Sequence, residues 1–368
     1  MKSAKTFIII TVLLLIFSLP LNASGLDTGG ELKQLLSYGL DGEEFSTALS
    51  TYRIRLEKEL GFDGRVYLSL KGDYDFFTRR GGLDLDEAYA AVYLDKTDIT
   101  VGRQVISWGT ADGINPTNYI NPMSTESIFT GELKGEPLLS LQGTYYGEGY
   151  DLTGVLVPGF VPAEFPDENL LNTGEEIEET ETEGSGGIYN YLRNLPEPAN
   201  KLENMEWALR YGTLINGYDL RISYFHGWDD LPALKCRIPI NPFTMQVDMD
   251  SIEFEVDYRQ VNKVGVATAG NLGAFGVWAE LVNVMPEKME LDSEDPLEII
   301  RAVSINDNYL EAVIGGDYTF SNGIYGEMQY LYNGSGSLLS PYNLELTEEI
   351  EVGQYLMSRA SYNLDRDN

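Results

Sequence analysis

The run Met205-Glu206-Trp207-Ala208-Leu209-Arg210-Tyr211-Gly212, a turn containing Gly217, and the run Tyr218-Asp219-Leu220-Arg221-Ile222-Ser223-Tyr224 decide the fold. Met205, Trp207, Leu209 and Tyr211 alternate with Glu206, Ala208 and Arg210. Tyr218, Leu220, Ile222 and Tyr224 alternate in the same way with Asp219, Arg221 and Ser223. Strict period two on both sides of a tight turn predicts a β-hairpin with one apolar and one charged face.

The pattern recurs at Ser46–Lys58, Arg65–Phe76, Leu83–Leu94, Ile99–Val105, Leu138–Tyr146, Tyr150–Val157, Ala274–Val284, Tyr309–Phe320, Ile324–Tyr332 and Val352–Tyr362. A weaker segment lies at Leu32–Leu40, with a helix as its alternative, and Ser251–Ala269 reads as one long strand. Connections alternate in length. Short turns sit at Leu60–Gly64, Asp95–Asp98, Gly147–Gly149, Ile215–Gly217, Gly270–Gly273 and Ser321–Gly323. Long segments span Ile106–Pro137, Gly159–Asn204, Gly227–Asp250, Met285–Asn308 and Gly334–Glu351. Short turns on one side and long loops on the other are the connectivity of an outer-membrane barrel. The predicted fold is all-β, an antiparallel up-and-down transmembrane β-barrel of about fourteen strands, or about sixteen in a longer chain. On this topology the Glu175–Glu183 loop lies outside the cell and the Gly270–Gly273 turn in the periplasm.

The N-terminus supports export. Lys2 and Lys5 precede an apolar run from Phe7 to Leu19, followed by Pro20, Ala23, Ser24 and Gly25. This order predicts a signal peptide over 1–24, with the barrel domain over 25–368. No cysteine stands at the expected cleavage site after the apolar run, which argues against a lipoprotein anchor at the new N-terminus. The net charge of −33 argues against nucleic acid as a partner, because phosphates would be repelled. One cysteine, Cys236, rules out an internal disulfide, and one histidine, His226, rules out a multi-histidine zinc site. No cofactor and no metal are expected. His226 stands just beyond a predicted strand end beside Asp229-Asp230, and polar surface is its favoured reading over a general base.

The segment Gly102-Arg103-Gln104-Val105-Ile106-Ser107-Trp108-Gly109 continues through Asp112-Gly113-Ile114-Asn115-Pro116-Thr117-Asn118-Tyr119-Ile120-Asn121-Pro122. It resembles a run found in an uncharacterised group of bacterial outer-membrane porin-like proteins. In that group a strand ending Gly-Arg-Gln leads into Trp-Gly and a paired Asn-Pro loop. The strand Glu203–Tyr211 and the Val264–Glu280 hairpin look similar too. Members usually carry Asp where this chain has Asn118. The resemblance implies a porin-type barrel and names no substrate. It also implies a last strand ending in an aromatic residue. The chain instead ends Ser361-Tyr-Asn-Leu-Asp-Arg-Asp-Asn368, so the favoured expectation is that C-terminal strands are missing, the alternative being that the chain departs from the barrel pattern.

Both Asn-Pro pairs start turns, and Gly109 and Gly113 allow reversals nearby. Trp108, Asp112, Asn115, Pro116, Asn121 and Pro122 are therefore candidates for a constriction loop, against the alternative of a packed rim loop. Arg53, Arg55, Arg65, Arg103, Arg210, Arg221, Arg259, Glu206, Asp219 and Glu255 are the candidate pore-lining residues. A charge on the lipid face costs about 2–4 kcal/mol at mid-membrane for Arg or Lys, so these side chains are expected to point inward. The low-complexity loop around Gly174–Gly184, with six Glu, is expected to be solvated and external. The sequence predicts a channel passing small polar or charged solutes by diffusion. The alternative is a non-conducting structural, adhesive or receptor barrel acting through acidic loops. Expected partners are outer-membrane lipid, small polar solutes and the barrel-assembly machinery, and a homo-oligomer is compatible with the sequence.

Overall fold

The computed structural model describes residues 25–39, 44–61, 63–76, 79–111, 114–122, 135–163, 195–245, 247, 251–293, 295–336, 342 and 352–362. The expected signal peptide over 1–24, the acidic loop core, Asp112, Gly113 and the tail from 363 lie outside them. The chain divides into two compact units.

In the first unit, β1 (Leu26–Gly39), β2 (Glu44–Glu59), β3 (Gly64–Asp75), β4 (Arg80–Leu94), β5 (Thr97–Gln104) and β6 (Leu138–Tyr146) pair antiparallel in chain order. The weak Leu32–Leu40 segment is thus a strand, in register with β2 through Leu32↔Tyr52. Exposed Tyr52 and Ile54 alternate with Arg53 and Arg55 along β2. Arg53 Nε donates to Asp86 at 2.7 Å and its Nη1 to Glu31 at 3.0 Å. Arg65 reaches Glu57 and the Tyr89 hydroxyl, each at 3.2 Å. These cross-strand pairs lie on the charged face, as period-two alternation requires.

In the second unit, eight strands form the meander. They are β7 (Tyr150–Val157), β8 (Glu206–Ile215), β9 (Tyr218–Trp228), β12 (Gln260–Leu272), β13 (Phe275–Pro286), β15 (Tyr309–Thr319), β16 (Ile324–Asn333) and β17 (Gly353–Tyr362). With the six of the first unit they make fourteen. The β8–β9 hairpin turns at Asn216 (φ 52°) and Gly217 (φ 84°), two successive left-handed residues that match the twist of the flanking strands. Register places Tyr211 opposite Ile222 and Leu209 opposite Tyr224. Leu209 is 56% exposed and Ile222 46%, whereas Ser223 is 6% exposed. Farther along the sheet, Glu280 on β13 is 3% exposed while its neighbour Leu281 lies open. Along these strands a row of large apolar side chains lies exposed while polar Glu206, Ser223, Glu280, Glu327 and Gln329 are buried, the inverse of a water-soluble protein's surface. The fold is all-β, an antiparallel up-and-down meander with the strand architecture of a transmembrane β-barrel. No helix among the described residues is long and apolar enough to cross a membrane.

The expected single strand Ser251–Ala269 is not continuous. It breaks at Tyr258-Arg259 into β11 (Glu253–Asp257) and β12. β11 leaves the meander and joins β10 (Ala233–Pro239) and β14 (Glu298–Ala302), two strands inside the long connections, in a separate sheet ordered β11-β10-β14. The break has local causes. The Asp257 carboxylate accepts the Tyr258 N–H at 2.8 Å, the Arg259 carbonyl accepts the Asp229 N–H at 2.9 Å, and the Tyr258 ring packs on Phe160 with centroids 4.7 Å apart. Leu234, Cys236, Ile238 and Val303 form the buried side of this small sheet.

Candidate functional site

The segment after β5 folds onto the polar face of β8, β9, β12 and β13. Three asparagine carboxamides shape it from within. Asn121 Oδ1 accepts the Ile106 N–H (2.8 Å), Asn118 Oδ1 the Trp108 N–H (3.3 Å) and Asn115 Oδ1 the Ala111 N–H (2.7 Å). These asparagines, two of them from the Asn-Pro pairs, therefore do more than start turns: their side chains accept from backbone donors that no strand ladder pairs.

Glu280 holds the segment to the sheet. Its Oε1 accepts from the Thr110 N–H, the Thr110 hydroxyl (3.0 Å) and the Ala111 N–H (3.0 Å). Its Oε2 accepts from the Thr117 N–H (3.0 Å) and the Thr117 hydroxyl (2.7 Å). Five donors from two stretches of the segment thus converge on one buried carboxylate, and hydrogen bonds to such an acceptor are among the stronger ones. Beside it the Tyr119 hydroxyl donates to Ser223 at 2.7 Å. Gly265 lies beneath. A Cβ there would stand 2.8 Å from Ser223 Oγ and 3.2 Å from both Thr117 and Tyr119, so the close approach requires glycine. Ala111 and Ile114 add an apolar anchor against Trp278, Val313 and Leu331.

Cations on the same face are drawn to the segment's aromatic rings. The Arg210 guanidinium sits 5.3 Å from the centre of the Trp108 ring, and the Lys263 ammonium 5.7 Å from both Tyr119 and Phe225. Arg221 donates to the Trp108 carbonyl at 3.4 Å, and Arg210 pairs with Asp151 at 3.5 Å. Burial raises the Tyr119 phenol to about 12, partly opposed by its bond to Ser223.

The candidate lining residues divide as follows. Arg53, Arg55 and Arg65 lie on the charged face of the first unit. Arg210, Arg221, Glu206 and Asp219 lie on that of the second, with Glu206 accepting the Trp228 N–H at 2.9 Å and Asp219 exposed at the turn end of β9. Arg103 differs from expectation. Its cross-strand partners are Ala88 and exposed Leu139, so it follows Ile99 and Val101 on the apolar side. Its Nε donates to the Leu85 (3.2 Å) and Asp86 (3.0 Å) carbonyls, beside the β-bulge where β4 loses register with β3. Glu255 lies in the small sheet, bonded to Lys235 at 3.0 Å and to Arg237, and these contacts hold its carboxyl below the usual range, the Lys235 hydrogen bond foremost. Arg259 lies in the break before β12, 3.7 Å from Asp229. Of the constriction candidates, Trp108, Pro116, Asn121 and Pro122 are buried and Asn115 half-buried, while Asp112 lies outside the described residues. His226 falls inside β9, opposite Trp207 on the outward face, with Nδ1 3.0 Å from Asn262 Oδ1. Glu280, Asn118 and Lys263 were not among the candidates. Glu280 and Lys263 show in the sequence only as polar residues within alternating strands, and Asn118 as one more polar residue of the Asn-Pro loop.

No family model matches this chain, and no curated protein does. Similar solved structures are outer-membrane proteins. OmpF of Salmonella typhi, in complex with daunomycin, is 11% identical, with 83% of this chain and 78% of that chain covered at a TM-score of 0.41. The outer-membrane channel DcaP of Acinetobacter baumannii is 10% identical, with 84% and 79% covered and a TM-score of 0.41. OmpT of Vibrio cholerae, as a loop-deletion mutant, is 10% identical, with 83% and 80% covered and a TM-score of 0.43.

Proposed function

We propose that this protein is a porin-like channel of a bacterial outer membrane, exported through a cleaved signal peptide, which passes small polar or charged solutes by diffusion. One observation carries the reading. A segment rich in hydrogen-bonding groups is fastened by Glu280 across a buried, charged sheet face whose reverse side is apolar and exposed. Such a face is costly in a bilayer unless it borders water, and a segment laid over it narrows any aqueous path. On this reading Ile106–Pro122 is the constriction. Arg53, Arg55, Arg65, Arg210, Arg221, Glu206 and Asp219 line the wet side. Arg103 and Glu255 leave that set and serve the wall and the loop sheet. Outer-membrane lipid and the assembly machinery are the partners this requires, and an oligomer is compatible with it.

The close packing of Trp108 and Tyr119 favours a second reading, a barrel plugged by this segment that acts through its outer loops. Single-channel recording of the folded protein in planar bilayers separates the two. The channel reading expects discrete conductance steps with measurable cation and anion permeability. A folded, inserted protein giving no steps would leave the plugged barrel.

A further inference from the structure

Arg103 carries a charge on the outward face of the first unit. In the outward rows of β3, β4, β5 and β6 no other Lys, Arg, Asp or Glu occurs among the described residues. Its neighbours there are apolar: Val101, Leu139 and Leu141 lie open, and Leu68 and Ala88 are covered.

The wall is shaped around this residue. Asp86 is the extra residue of the bulge, between Glu87 opposite Ser69 and Leu85 opposite Leu70. Its carboxylate turns to the charged face, where it accepts from Arg53 at 2.7 Å and from Ser69 at 2.8 Å. Its carbonyl and that of Leu85 accept Arg103 Nε, at 3.0 and 3.2 Å. Gly102 (φ 137°) lets β5 approach β4 closely beside it, since a Cβ there would stand 2.3 Å from the Ala88 carbonyl oxygen. Only Nε of the guanidinium is used. Nη1 and Nη2 make no hydrogen bond or ion pair among the described residues, and neither is buried.

Register gives the direction of the side chain. β4 runs antiparallel to β5, and Leu85 and Asp86 precede Ala88, the partner of Arg103. The two carbonyls therefore lie beyond Arg103, toward the end of β5 that leads into the 106–137 connection. The side chain reaches that way along the wall, as long cationic side chains do near a membrane boundary. Arg103 stands seven residues beyond Lys96 in the short turn before β5. At about 3.3 Å per residue and a tilt of about 45°, its Cα lies roughly 16 Å above that turn and its guanidinium roughly 20 Å, within an apolar band about 25 Å tall.

We propose that Arg103 binds a phosphate of an outer-leaflet lipid, a phosphomonoester carried on acyl chains, with the chains lying along Val101, Leu139 and Leu141. The proposal rests on the outer-membrane reading above, which puts the long connections outside. Nη1 and Nη2 form a two-pronged donor that matches two phosphate oxygens, and Nε, held by the bulge, fixes the plane of the fork. No carboxylate in the surrounding outward rows competes for it. The apolar neighbours suit a ligand charged only at its head, whereas a soluble anion gains nothing from them.

The test is native mass spectrometry of the detergent-folded full chain with lipid A, in its bisphosphorylated and in a phosphate-free form. At least fivefold greater retention of the bisphosphorylated form supports the site. R103Q should bring the two forms level. K58Q alters an outward-row cation near the short-turn end of β2 and should keep the preference. Modification of arginine by phenylglyoxal gives the answer without a variant: bisphosphorylated lipid A should shield Arg103 in the folded parent, and the phosphate-free form should not. Equal retention of the two forms, an unchanged preference in R103Q, its loss in K58Q, or equal modification of Arg103 with either lipid would overturn the proposal. Shielding in detergent alone, with a dimer in the mass spectrum, would also overturn it and give this face to a second copy. Conductance plays no part, so loss of this site and loss of the channel reading are separate results.

Discussion

The β8–β9 hairpin and the small sheet β11-β10-β14 alternate with the same period and bury opposite faces. In the hairpin, Leu209, Tyr211 and Ile222 are open, while Ala208 and Ser223 are covered. In the small sheet, Leu234, Cys236 and Ile238 are covered, and Lys235 and Arg237 form an outward ladder with Glu255 and Glu298. Alternation therefore reports that a strand has two unlike faces, and the surroundings decide which face is buried. The hairpin is built for a solvent of hydrocarbon and the small sheet for water. Two kinds of core within one unit follow from that difference.

Breaking the hairpin's outward face should have the largest effect. Leu209→Arg and Ile222→Arg each place a charge in lipid at about 2–4 kcal/mol, and together they should abolish assembly, read as loss of the heat-modifiable band on gels. Folding of the double variant at the normal yield would mean that the two faces are exchanged. Leu234→Asp should remove about 3 kcal/mol, because it buries a carboxylate among Cys236, Ile238 and Val303. That loss should stay local: proteolysis should cut the 229–259 connection while the heat-modifiable band persists.

A smaller effect comes from Asp230, raised to about 7 by burial. Its folded value lies above the unfolded one, so the folded state binds the extra proton and stability falls as pH rises from about 4 to about 7. Asp230→Asn should flatten that limb of a pH–stability profile by on the order of 2 kcal/mol, discounted for the side chain's partly open surface. Smallest of all is Arg237→Ala. Its pairs with Glu255 and Glu298 are solvent-exposed, so thermal unfolding of the loop sheet should shift by less than about 1 kcal/mol.

The meander was largely legible, because each strand carries its own alternation and each tight turn its own Gly or Asn. The small sheet was not. Leu234, Cys236 and Ile238 alternate with Lys235 and Arg237 as clearly as any membrane strand, but Pro232 and Pro239 flank them within a long connection. β11 merged with β12 because Ile252, Phe254, Val256 and Tyr258 keep the period up to the break, and two of the groups that hold the break, Asp229 and Phe160, lie in other stretches of the chain. Arg103 misled for a related reason: its charge suggested the wet face, whereas the backbone carbonyls at a bulge satisfy it on the other. The candidate segment was visible through its Asn-Pro pairs. Its anchor was not, since Glu280 is separated from Thr110 by 170 positions and only the folded register brings them together.

That anchor offers the most direct test of the central claim, that a tethered segment narrows a water-filled path along the charged face. Glu280→Ala removes the acceptor for five donors and leaves the N–H groups of Thr110 and Thr117 unpaired, about 1–3 kcal/mol each until the segment moves away, while the Ala111 N–H keeps Asn115 Oδ1. Single-channel recordings of this variant and the parent protein, both reconstituted and shown to be folded, should give discrete steps from both, with larger and noisier steps from the variant. Identical conductance in the two, or none in either, would contradict it.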